Sequence, residues 1–116
     1  MPINHVDQIV SKEIKHPSAQ NSQMKVLVSP IDGFDGYVMR VVEVKENGYT
    51  PKHSHPWPHI NYFLEGNGEL MIDGVSQKVV QGSYAVVPSN ALHQFENTGK
   101  EIFKFICIVP EEGHIY

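Results

Sequence analysis

A single cysteine, Cys107, occurs among 116 residues, so no disulfide can form within the chain. Its place in the apolar run FICIV points to a buried thiol, and a reducing compartment is expected. Lys and Arg number 9 against 13 Asp and Glu, a formal net charge of -4, and no run of basic residues occurs. That leaves no electrostatic footprint for nucleic acid or an anionic membrane, so neither is an expected partner. No apolar run approaches the roughly 18 residues of a spanning helix, and MPINHVDQIVSKEIK lacks the basic-then-apolar pattern of a signal peptide. The expectation is a soluble cytoplasmic protein. After Met24 no segment sustains an apolar period of about 3.6 residues, which argues against long helices. No serine sits in an elbow motif and Cys107 has no dedicated His partner, so hydrolytic triads are set aside.

What is present is ordinary globular composition, 41% hydrophobic and 19% charged, in a length that suits one domain and one core. Residues 1–23 are polar and read as an arm or edge segment, 24–110 as the domain proper, and 111–116 as a tail. From Met24 onward short apolar segments recur, each closed by turn chemistry: KVLVS, YVMRVVEV, INYFL, ELMI, KVV, YAVV, LHQFE and EIFKFICIV. Asp73-Gly74 predicts a hairpin, because a type I′ turn needs positive φ at both central residues. Some eight short antiparallel strands predict an all-β barrel or double-sheet jelly roll.

Alternation orients the strands, since successive side chains face opposite sides. Glu43 and Lys45 mark an outer face with Met39 and Val41, which turns Val38, Arg40, Val42 and Val44 inward. By the same reasoning Phe103, Phe105, Cys107 and Val109 face inward on the last strand, and His93, Phe95 and Asn97 on the one before. Arg40 is then an inward cation, either paired with a buried acid or clamping a carboxylate or enolate of a ligand. Phe63, Phe95, Phe103, Phe105 and Cys107, with Trp57 on a loop, would form apolar walls for a small-molecule ligand, or simply the core. Outward, Ile60, Tyr62 and Leu64 on one strand and Ile106 and Ile108 on another are too apolar for solvent and predict a homodimer.

The stretch KHSHPWPH concentrates histidines. His53 and His55, two apart, share a face if extended, a chelating arrangement that also fits two surface residues. His55 and His59 stand four apart, but Pro56 and Pro58 remove amide donors and disfavour helix, so a helical metal site is excluded. The prolines stiffen a loop that lets His59 open the next strand and face the pair, and inward His93 can join from a distant strand. His5, His16 and His114 have no such companions and read as surface residues.

These residues resemble the two motifs of the cupins. The first motif runs Gly, HxH, Glu, Gly; GYTPKHSHPWPHINYFLEG supplies Gly48, His53, His55, His59 and Gly66. The second runs Gly, Pro, Gly, His, Asn; GSYAVVPSNALHQFEN supplies Gly82, Pro88, Asn90, His93 and Asn97. The spacing after Gly48 is one residue short, Asn90 replaces a Gly, and His59 stands where a Glu ligand is usual. The chain is most similar to small single-domain bacterial cupins with a four-histidine site. That resemblance implies a double-stranded β-helix (jelly-roll barrel), commonly a homodimer. It also implies one divalent metal ion on His53, His55, His59 and His93, manganese first, with iron, nickel or zinc as alternatives.

Four neutral imidazoles leave a divalent ion its full charge, more electrophilic than three imidazoles and a carboxylate, and less able to hold an oxidised ion. An open octahedral site would admit a chelating substrate or dioxygen, whereas zinc could close a tetrahedron and be structural. Because only neutral imidazole binds, metal loss is expected as pH falls through roughly 6.5. The expected activity is a metal-dependent dioxygenase on a small organic substrate, with Arg40, Trp57, Phe105 and Cys107 as pocket residues. The alternative is a non-catalytic, metal-dependent binding or sensing protein.

Overall fold

The computed structural model describes residues 3–114, so residues 1–2 of the expected arm and 115–116 of the expected tail lie outside the described residues. Nine strands account for almost all of the regular structure: β1 (Lys12–Glu13), β2 (Gln20–Val28), β3 (Tyr37–Tyr49), β4 (His59–Glu65), β5 (Asn67–Ile72), β6 (Val75–Val80), β7 (Tyr84–Val87), β8 (His93–Asn97) and β9 (Phe103–Pro110). Three single 3₁₀ turns, Val6–Gln8, Pro30–Asp32 and Glu111–Gly113, complete it. Each apolar segment from Met24 onward lies on a strand. The hairpin at Asp73-Gly74 has φ of 50° and 86°, and Ile72 pairs with Val75 across it.

All pairings are antiparallel. One path runs β6-β5-β8-β3-β9-β4-β7, and β2, carrying β1 on its other edge, also pairs with β3. The 13-residue β3 spans both halves: its first part pairs with β2 and β9, while Tyr49 at its end pairs with Glu96 of β8. The result is the expected jelly-roll barrel. The arm is more integrated than its polarity predicts: Ile14 is a core residue, and β2 begins at Gln20, within residues 1–23.

Register arranges the inner face in layers. On β9, Phe105 sits between Val42 of β3 and Phe63 of β4, and one layer along, Cys107 sits between Arg40 and Asn61. Phe63, Phe95, Phe103 and Phe105 pack ring on ring with centroids 4.3–6.1 Å apart, a closed aromatic end. The fit there is tight: a Cβ on Gly68 would run into the Phe103 ring. Val41 departs from expectation. It points away from the core cluster yet is only 3% exposed, because β3 has neighbours on both sides, with Lys25 and Ile106 opposite Val41.

Candidate metal centre

The prolines do what their chemistry suggests. Between β3 and β4 the chain runs without helix; Thr50 still donates its N–H to the Phe95 carbonyl of β8 at 2.9 Å, and His53 forms an isolated bridge to His93. Its N–H donates to the His93 carbonyl at 3.2 Å, and the His93 N–H donates back at 3.0 Å. The His55 carbonyl accepts from the Asn90 N–H at 2.7 Å, and Asn90 holds φ of 67°, the left-handed turn in which Asn can replace Gly. His59 opens β4 and His93 opens β8, both buried.

These constraints converge. His53, His55 and His93 each offer a ring nitrogen within 4.8 Å of the others, and His59 Nε2 lies 3.2 Å from His93 Nε2. Three of the four rings are fixed by oxygen acceptors at Nδ1: the Trp57 carbonyl for His55 at 2.7 Å, Asn61 Oδ1 for His59 at 2.8 Å, and the Ala91 carbonyl for His93 at 3.0 Å. Asn61 cannot present its amide nitrogen instead, because that group donates to the Ile106 carbonyl at 3.2 Å. An oxygen that only accepts requires the proton on Nδ1, which leaves the lone pair on Nε2. His59 and His93 therefore face each other with two lone pairs and no proton between them. That arrangement repels unless a cation sits between. Ligands bound about 2.0–2.1 Å from one ion and roughly at right angles to each other lie about 3 Å apart, so the residues fit a metal ion.

Electrostatics agree. Burial, reinforced by His93, His55, His16 and His59, lowers the His53 pKa to about 3. Burial lowers that of His59 to about 4, with Asn61 opposing and the Arg40 charge adding. Burial likewise takes His93 to about 4, against the Ala91 carbonyl, and His55 is lowered by burial against the Trp57 carbonyl. The rings are thus neutral and ready to bind at neutral pH. The expected proton competition near pH 6.5 is displaced downward, because buried imidazoles resist charging even before a metal arrives.

The cluster lines a cavity that also takes in Arg40, Trp57, Phe105 and Cys107. Trp57 stacks on His55 at 4.9 Å and an interplanar angle of 13°. Phe95 reaches the cavity too, but Phe63, opposite Phe105 in register, and Phe103 do not line it; both are fully buried in the core. No acid pairs with Arg40 among the described residues, whose ion pairs are made by His5 and Lys104. Two further histidines lie nearer than the sequence suggested: His16 packs edge-on against His53 at 6.2 Å, and His114 is half-buried within reach of the Arg40 charge. Only proximity in the fold reveals them.

A nearly closed antiparallel barrel holding a cluster of imidazoles that could bind a metal ion defines a class of small β-barrel proteins. The cupin domain family matches residues 40–109, more than half of the chain, and the chain belongs to that family. Among solved structures, the polyketide cyclase RemF from Streptomyces resistomycificus is similar over 95% of this chain and 79% of its own, with 28% identity and a TM-score of 0.87. A predicted oxalate decarboxylase from Thermotoga maritima covers 93% and 97% of the two chains at 19% identity and a TM-score of 0.85. A cupin 2 conserved barrel domain protein from Rhodopseudomonas palustris covers 90% and 72% at 22% identity and 0.82. The last two share the fold alone. No curated protein matches the chain in sequence. No helix among the described residues is long and apolar enough to cross a membrane.

Proposed function

We propose that this chain is a metal-dependent enzyme that acts on a small organic ligand held beside one divalent ion at His53, His55, His59 and His93. Manganese is the first candidate, with iron, nickel or zinc as alternatives. The observation that carries the reading is the pair of opposed Nε2 lone pairs, 3.2 Å apart and buried, on His59 and His93. When bound, the ion supplies Lewis acidity to a carbonyl or enolate oxygen. The chain's own part is to fix that acidity and shield it. Asn61, the Trp57 carbonyl and the Ala91 carbonyl hold three rings in the binding tautomer, and Phe95, Phe105 and Val42 keep bulk water from the reacting face.

Polarisation of an enolisable carbonyl compound suits this donor set better than electron transfer, because it lacks the carboxylate that would stabilise a more oxidised ion. The likeness to a polyketide cyclase supports the same chemistry, since polyketides are carbonyl-rich chains. Dioxygen-dependent oxidation, expected from the sequence, is the second reading, favoured by the apolar Phe95 and Phe105 walls of the cavity. The test is to identify the metal in the purified protein and then offer a panel of 1,3-dicarbonyl and catechol compounds with an oxygen electrode in place. Turnover without oxygen uptake supports carbonyl polarisation, and stoichiometric uptake establishes the dioxygenase. Binding without turnover leaves the sensing alternative, and failure to hold any metal removes the proposal.

For assembly we propose a homodimer through the outer face of β7, β4 and β9. There Ile60 pairs with Ile108 and Val86, and Tyr62 with Ile106 and Tyr84, so an apolar patch runs across three strands. Ile60, Tyr62, Tyr84 and Val86 are 48–83% exposed in the single chain. Sedimentation at micromolar concentration should give twice the chain mass, and Ile60→Glu should halve it; a monomeric parent chain refutes the pairing.

A further inference from the structure

Arg40 is 6% exposed and has no acid beside it among the described residues. Its Nη2 lies 3.0 Å from Cys107 Sγ, a weak acceptor, while Nε and Nη1 have no partner. Buried guanidinium groups are normally paired, because leaving the charge desolvated and unanswered is costly. Arg40 lines the same cavity as the four histidines, and it is close enough for its charge to depress the protonation of His55 and His59. The Trp57 Nε1–H, on another wall, is also buried without an acceptor. No Asp or Glu lines the cavity, so its protein charge is positive even with every imidazole neutral. The space open to the centre of a water molecule is about 50 Å³, and one water needs at least about 10–15 Å³ on that measure, so only a small ligand fits.

We infer that the ligand of this cavity is a small oxyacid, such as a 3-oxo acid or a dicarboxylate. Its carboxylate is bound by Arg40 while a second oxygen reaches the imidazole cluster. The inference rests on the metal-centre reading for that second oxygen but not for the first. A guanidinium gives charge-assisted hydrogen bonds to a carboxylate that a neutral ketone cannot match. The arrangement therefore selects acids over uncharged chelators of similar donor spacing. Arg40 is a ligand-binding residue in this account.

Calorimetric titration of the metal-loaded protein with malonate and acetoacetate, and with acetylacetone as the control that lacks a carboxylate, tests it. Arg40→Met should weaken binding of both acids by about 10- to 100-fold, leave acetylacetone within threefold, and leave the metal content unchanged. In metal-free protein, malonate should raise the melting temperature of the parent chain and not of the variant. Arg40→Lys keeps the charge and loses the planar fork, so it should fall between the two for the acids; it also decides the matter should Arg40→Met fail to fold. Equal acid affinity in parent and Arg40 variants, or equal loss for acids and acetylacetone, overturns the inference. A protein that takes up no metal yet shows Arg40-dependent malonate binding refutes the metal centre and sustains the clamp. A metal-loaded protein indifferent to Arg40 does the reverse.

Discussion

The two ends of the barrel interior are built on the same strands and by the same alternation, yet they are opposite in chemistry. On β4, His59 and Asn61 give way to Phe63; on β8, His93 gives way to Phe95; on β9, Cys107 gives way to Phe105 and Phe103. At the phenyl end, rings fill the space and the buried Asn97 amide is satisfied, donating to the Val44 and Glu101 carbonyls. At the imidazole end, every side-chain nitrogen brought inside must find an acceptor, a donor or a cation, and the protein leaves some without one: Arg40 Nε and Nη1, Trp57 Nε1, and the facing pair on His59 and His93. Stability is concentrated where the chain satisfies itself. Binding capacity is concentrated where it does not.

Truncation at the phenyl end should have the largest effect. Phe103→Ala removes a fully buried ring stacked on Phe63 and should cost about 3–5 kcal/mol in urea unfolding, with metal affinity of the folded fraction retained. A loss below 1 kcal/mol would show that this end is not the core. At the other end, His93→Ala should lower metal affinity by more than about 100-fold, measured by competition with a chromophoric chelator, because it removes a ring that faces two others and His59. Asn61→Leu sharpens the contrast: it touches no ion but frees the His59 ring, so affinity should drop about 10- to 100-fold while the fold persists. Unchanged affinity would remove His59 from the ligand set.

The ends also differ in their response to pH. In metal-free protein, His59 and His93 titrate near 4 when folded and near 6.5 when unfolded. Above 6.5 both states are neutral and these groups add no pH dependence. Between 6.5 and about 4 the unfolded chain binds protons that the folded chain resists, so stability falls with pH, by at most about 1.4 kcal/mol per pH unit for each ring. Chelator-treated protein followed by denaturant melts over that window should show the slope, and the His93→Ala protein a shallower one. Equal slopes in both would mean that the buried rings are already protonated.

The sequence made the frame legible because its signals are local. A period of two and the turn at Asp73-Gly74 are set by neighbouring residues, so the inward placement of Arg40, His93 and Phe95 could be read without coordinates. The prolines excluded a helix between His55 and His59 for the same reason. What alternation could not tell is depth or company. It left Phe63 and Phe103 open between cavity wall and core, where the fold makes them core, and it put Val41 in water when neighbouring strands cover it. It also left His16 and His114 on the surface.

Which groups face each other across the barrel belongs to the tertiary structure alone. Arg40 meets Cys107 from 67 positions away, and His59 meets His93 from 34, through strand pairings no short window of sequence contains. The chain on its own determined that His59, His93 and the Arg40 guanidinium turn inward, since covalent geometry alternates side chains along a strand whatever the surroundings. Closure of the sheet decided that the guanidinium would have no acid and two imidazoles no proton between them, because a partner is a matter of distance through space.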